Sequence, residues 1–226
     1  MDQIDKNTVK GEGQLKSNNY VTFFNTEGKG KRILFVGNSI TRHGILPSIG
    51  WHWDWGMAAS DRSKDYVHLL ADKMSQLAPD PVCGICQVAF WECNYKTLTD
   101  YSPWEPAHDF GADIIFLRLI ENSPKKEFEP VKFKEQLHAL RQYLDPKGTA
   151  QIVIGTAFWK HVGDPVLMEC AKEQGIPLVY MGDLGEDDEN KAIGLFEHSG
   201  VASHPGDLGM QRIAERFFEC YKENYK

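Results

Sequence analysis

Five short and nearly unbroken apolar runs recur along the chain, at 33–39, 82–90, 113–120, 151–158 and 177–181, and this rhythm limits what the chain can fold into. A strand covered on one face alternates apolar and polar residues. These runs do not alternate, so they read as strands buried on both faces, as in a parallel sheet. Between them lie stretches with apolar residues at helical spacing: Val67, Leu70, Met74 and Leu77; Phe133, Leu137, Leu140 and Leu144; Met210, Ile213, Phe217 and Cys220. The punctuation agrees. Ser63 reads as an N-cap and Pro79 and Pro81 as a stop, Pro130 as a first helical residue with Pro146 and Gly148 beyond the end, and Asp164-Pro165 as an opening closed by Gly175. The pattern predicts an α/β fold with a five-stranded parallel sheet covered on both sides.

With 226 residues, 42% of them hydrophobic, the chain fills one large core. Residues 1–30 read as a polar arm with one possible edge strand around Tyr20 to Phe24, and residues 31–226 as a single domain. A net charge of −7 argues against a nucleic-acid backbone or an anionic membrane surface as the main partner, since both call for a basic face. No apolar stretch is long enough to span a bilayer, and the start is polar, so a cytoplasmic setting is expected unless a leader has been removed. Five cysteines in uneven spacing make a poor disulfide framework and read as reduced thiols. Cys83-Gly-Ile-Cys86 has the spacing of a zinc half-site but no second pair. Neither a metal nor a cofactor is expected.

Three polar clusters fall just past strand ends or before a helix: Gly37-Asn38-Ser39, Glu121-Asn122 and Ser203-His204-Pro205-Gly206. In a parallel sheet the carboxyl ends of the strands share one rim, where such clusters converge. A serine becomes a nucleophile when a neutral imidazole takes its proton, and the oxyanion that follows needs fixed N–H donors. Ser39 fits the nucleophile, its own N–H and the Asn122 amide fit the donors, and His204 fits the base. His204 stands before a proline at a helix start, whose positive end disfavours imidazolium.

Gly37-Asn38-Ser39-Ile40-Thr41 after an opening strand, Asn122 after the third, and His204-Pro205-Gly206-Asp207-Leu208-Gly209-Met210 before a last helix resemble the SGNH subgroup of GDSL-type esterases and lipases, over roughly residues 31–220. The resemblance implies a flavodoxin-like, three-layer αβα sandwich, a serine nucleophile, an oxyanion hole of asparagine and glycine, and an aspartate three residues before the histidine. Val201 stands in that aspartate's place, and the second strand ends in Trp91-Glu92-Cys93-Asn94, with no matching glycine. A backbone N–H near Glu92 could still serve as a donor of the hole. The imidazole could be held by a backbone carbonyl in a Ser–His dyad, or by Asp207, Glu92 or Glu121; otherwise the site is inactive.

Other residues have two readings each. Arg118 reads as a structural ion pair with Glu92 or Glu121, ahead of a substrate contact. Trp51, Trp53 and Trp55 form either a stacking platform for a sugar ring or a lid packed on the protein. Asn38 caps its turn or supports the serine. His43 and His52 lack the helix-entry context and read as solvated or structural. The expected function is a serine esterase removing a short, acetyl-like group from a carbohydrate or other small polar ester. The alternative is an inactive module of the same fold that binds a glycan or protein. A flavin or nucleotide site is weaker, because the first turn has one glycine where a phosphate cradle wants several.

Overall fold

A computed structural model describes residues 14–16 and 19–225; residues 1–13, 17 and 18 of the predicted arm, and residue 226, lie outside the described residues. Among the described residues, six strands form one sheet: β1 Val21–Phe24, β2 Arg32–Gly37, β3 Val82–Gln87, β4 Ile114–Arg118, β5 Gln151–Gly155 and β6 Leu178–Val179. Their order is β1-β3-β2-β4-β5-β6. Phe35 in β2 is level with Ile85 in β3 and Phe116 in β4, all running parallel. The sheet thus has the expected five parallel strands and a sixth. This is β1, the edge strand expected in the arm, which runs antiparallel along β3 with Val21 opposite Cys86.

Among the described residues, seven α-helices connect and cover the sheet: α1 Tyr66–Ser75, α2 Ala89–Asn94, α3 Glu105–Phe110, α4 Pro130–Leu144, α5 Asp164–Glu173, α6 Ser199–Ala202 and α7 Asp207–Asn224. Strand side chains alternate between two cores. Leu34, Val36, Ile115 and Leu117 pack with Trp91, Phe133, Leu137 and Leu167 from α2, α4 and α5. Ile33, Phe35, Ile114 and Phe116 pack with Val67, Leu70, Ile213 and Phe217 from α1 and α7. Both faces are therefore apolar, which is why the runs do not alternate. Burying each such side chain contributes about 1.5–3 kcal/mol. The same alternation puts Cys83 in one core and Cys86 in the other, so the two sulfurs do not share a ligand site.

Several boundaries differ from the sequence reading. β3 stops at Gln87, because the Gln87 carboxamide oxygen accepts the Ala89 N–H at 3.1 Å and starts α2, so Phe90 and Trp91 are helical. The N-cap of α1 is Asp65, whose carboxylate accepts the His68 N–H at 2.9 Å, whereas Ser63 lies in the preceding turn capped by Asp61. β4 ends at Arg118, and two residues later Ile120 adopts φ 109°, a left-handed conformation costly for a β-branched residue.

Candidate active site

β2 ends on a close approach. A Cβ at Gly37 would lie 2.0 Å from Thr41 Oγ1 and 2.5 Å from the Arg118 carbonyl, so the position admits glycine only. The chain then turns sharply, with the Thr41 and Arg42 N–H groups both donating to the Asn38 carbonyl at 2.9 Å. Ser39 stands at the turn, 5% exposed, on the wall of a cavity of about 560 Å³. Its carbonyl accepts the Met57 N–H at 2.9 Å, and its own N–H makes no hydrogen bond among the described residues.

His204 follows α6 and precedes α7, and its Nε2 lies 2.9 Å from Ser39 Oγ. Its Nδ1 lies 2.6 Å from the Gly200 carbonyl, one helical turn back. A carbonyl only accepts, so Nδ1 carries the hydrogen and Nε2 offers its lone pair to the Ser39 hydroxyl. Burial lowers the pKa of His204 to about 4, against the opposing pull of the Gly200 carbonyl. The imidazole is neutral at neutral pH, as the sequence predicts, but burial rather than the helix terminus is the main cause. Trp159 packs edge-on against this ring at 5.0 Å.

Asp207 does not hold the imidazole. Its carboxylate accepts the Ser60 N–H at 2.8 Å and the Ser60 hydroxyl at 2.7 Å, and pairs with Lys64 Nζ at 2.9 Å. Val201 is buried against Trp51, Met57, Ala58 and Ala192. Of the alternatives left open for this position, the geometry matches the carbonyl-held pair.

Asn122 joins Ser39 and His204 on the cavity wall. Its amide is held from both ends: Nδ2 donates to Glu92 Oε2 at 2.5 Å, and Oδ1 accepts Gln14 Nε2 at 3.0 Å. One Nδ2 hydrogen remains for a ligand. Glu92 is fully buried, and its carboxylate also accepts the N–H groups of Ile120 at 2.6 Å and Asn122 at 2.9 Å, and Asn38 Nδ2 at 2.9 Å. Burial and the nearby Glu121 charge push the Glu92 carboxyl up. The backbone N–H of Glu92 donates to the Val88 carbonyl inside the helical turn, so it is not the extra oxyanion donor the sequence suggested.

Arg118, fully buried, forms an ion pair with Glu121 and donates to Asn38 Oδ1 at 3.3 Å. Burial works to raise the Glu121 carboxyl, but the Arg118 guanidinium and the Phe158 N–H hold it below its ordinary value. Asn38 Nδ2 bridges the two carboxylates. Arg118 thus takes the structural reading, and Asn38 ties the serine turn to the acidic pair. Glu121 also reaches the cavity wall.

The three indoles of the first long loop pack on one another. Trp51 is buried, 5.2 Å from Trp53 and 6.1 Å from Trp55. The cavity is lined instead by Trp159, with Gln14, His43, Met57, Lys125 and Lys191, none of which the sequence reading placed there. Trp159 had a signal, since it directly follows the fourth apolar run at the functional rim. Gly200 had none, because it acts through its carbonyl. A second cavity of about 540 Å³, at the opposite end of the sheet, is lined by residues such as Met74, Leu77, Pro79 and Tyr225 and has no such serine–histidine pair.

Solved structures share this architecture. A lipolytic protein of the G-D-S-L family from Desulfitobacterium hafniense superposes with a TM-score of 0.52 at 11% identity, covering 84% of this chain and 99% of that one. The fold is that of the SGNH hydrolases. A family two carbohydrate esterase from Clostridium thermocellum, solved with cellohexaose, gives a TM-score of 0.52 at 14% identity, over 85% of this chain and 64% of that one. A salicylyl-acyltransferase from a tetracycline biosynthetic pathway gives 0.56 at 16%, over 86% of this chain and 55% of that one. The SGNH fold here therefore spans somewhat more than half the length of the latter two proteins. No family model and no curated protein matches the sequence.

Proposed function

We propose that the chain is a serine ester hydrolase that removes a short acyl group from a small polar alcohol such as a partly acylated carbohydrate. The observation that carries this reading is the 2.9 Å contact between Ser39 Oγ and His204 Nε2, with Nδ1 anchored on the Gly200 carbonyl. In the first step Ser39 Oγ attacks the ester carbonyl carbon while its proton passes to His204 Nε2. The Ser39 N–H and the remaining Nδ2 hydrogen of Asn122 stabilise the oxyanion, each by about 3 kcal/mol by analogy with other such donors. His204 returns the proton to the departing alcohol oxygen, and a water, deprotonated by the same Nε2, releases the acid from Ser39.

A cavity of about 560 Å³ beside Ser39 leaves room for a small ester and supports this reading. The carbohydrate esterase among the structures of this fold supports a sugar as the alcohol. The packed indoles withdraw the stacking platform as support for it.

Ser39→Ala is expected to lower hydrolysis of 4-nitrophenyl acetate by about 10³-fold or more, with the circular-dichroism spectrum unchanged. A fluorophosphonate probe should label the parent and not the variant. Equal rates in the two proteins would sink the reading, and an unlabelled parent would favour a binding module.

A further inference from the structure

His43, on the cavity wall, has its side-chain hydrogen bonding half made among the described residues. Its ring is wholly buried, and Nδ1 lies 2.6 Å from the Gly44 carbonyl. That carbonyl accepts, so Nδ1 carries the hydrogen and Nε2 presents a bare lone pair. Nε2 has no hydrogen-bond partner among the described residues. Leaving a buried acceptor unmatched is unfavourable, and such a group calls for an explanation.

The backbone around His43 is fixed. Its N–H donates to the Trp55 carbonyl at 3.0 Å, its carbonyl accepts Trp51 Nε1 at 3.4 Å, and Gly44 N–H donates to the Gln14 carbonyl at 2.9 Å. The Trp51 indole and the Trp55 carbonyl thus fix the backbone that carries this ring. Burial lowers the pKa of His43 to about 4, so the lone pair is present at neutral pH. The ring lines the same cavity as Ser39 and His204. Two imidazoles in the same tautomer therefore face one substrate space, one engaged by the serine and the other unengaged.

We infer that His43 Nε2 accepts a hydrogen bond from a free hydroxyl of the substrate's alcohol part, and that the site selects esters carrying an unacylated hydroxyl beside the ester. This rests on the esterase reading and deepens it. Nε2 is buried, and a hydroxyl brought by the substrate would satisfy it. Met57 lines the same cavity, and its unbranched side chain can change rotamer to admit the donor. The Glu121 carboxylate on the same wall also suits a donor-rich polyol.

The test compares trans-cyclohexane-1,2-diol monoacetate with cyclohexyl acetate, which lacks the hydroxyl. The parent should favour the first in kcat/KM, and His43→Asn, whose amide keeps a donor toward Gly44 but removes the acceptor, should reduce that ratio about tenfold, the worth of one neutral hydrogen bond. His43→Gln, which returns an acceptor near the Nε2 position, should recover part of the ratio. An unchanged ratio in His43→Asn, with both esters still hydrolysed, overturns the inference and leaves the esterase reading standing. Hydrolysis of neither ester by the parent overturns the esterase reading instead. The inference is then decided by titrating the diol into nitrogen-15 histidine-labelled Ser39→Ala protein: a shift of the His43 Nε2 resonance supports it, and an unmoved resonance overturns it.

Discussion

In the proposed reaction His204 acts through a single lone pair, and its environment sets when that lone pair is available. The pKa of about 4 lies below the ordinary histidine value of 6.5. The kcat/KM profile for an acetate ester should therefore stay level from pH 7 down to about 5 and fall only as pH approaches about 4; an acid limb centred near 6.5 would show a solvated imidazole. Stability moves the same way. The unfolded chain takes up the proton first, so stability attributable to this ring is complete above about pH 6.5 and is lost as pH falls toward 4. Ser39, Asn122 and His204 were readable because each sits at a strand end or helix start, in a recognisable block of sequence. What holds His204 was not, since a carbonyl belongs to every residue alike. His43 takes the structural side of its two readings, buried with Nδ1 on the Gly44 carbonyl, and its place on the cavity wall was not legible because it follows from the course of the loop.

At the scale of elements, caps and strand ends do the positioning. Asp65 starts α1 by accepting the His68 N–H and also accepts the Gly56 N–H at 3.2 Å, so one buried carboxylate ties the helix to the loop that leads into Met57 and the cavity. Asp65→Ala should lower unfolding free energy by about 1–2 kcal/mol in a denaturant titration, and an unchanged midpoint would show the cap to be dispensable. The strand starts were legible to within one residue because burial on both faces leaves an unbroken apolar signature. The strand ends were less so. β3 ends by the Gln87 side chain folding back on Ala89, and the segment after β4 is shaped by four N–H donors converging on Glu92, both of them contacts between residues that no local pattern marks.

For the whole molecule, β1 is the strand that closes one margin of the sheet. It pairs with β3 through four residues and hides a row of backbone N–H and C=O groups that would otherwise template association. A variant lacking residues 1–28 should form larger species than the parent in sedimentation velocity at equal concentration, whereas an unchanged sedimentation coefficient would show that the β3 edge protects itself. The same deletion removes Gln14, so the fold's margin and the Asn122 amide depend on one segment.

The carbonyl of Gly200 has a further consequence, for inheritance. A catalytic aspartate presents a single codon at which support for the histidine can be lost. A peptide carbonyl survives every side-chain exchange at its position, so the brace on His204 is vulnerable only to changes that unwind the short turn bearing it. Drift in this lineage would therefore leave no mark at residue 200 itself, and the record of selection on the brace would be written in the packing of Val201 and Ala192 beneath it.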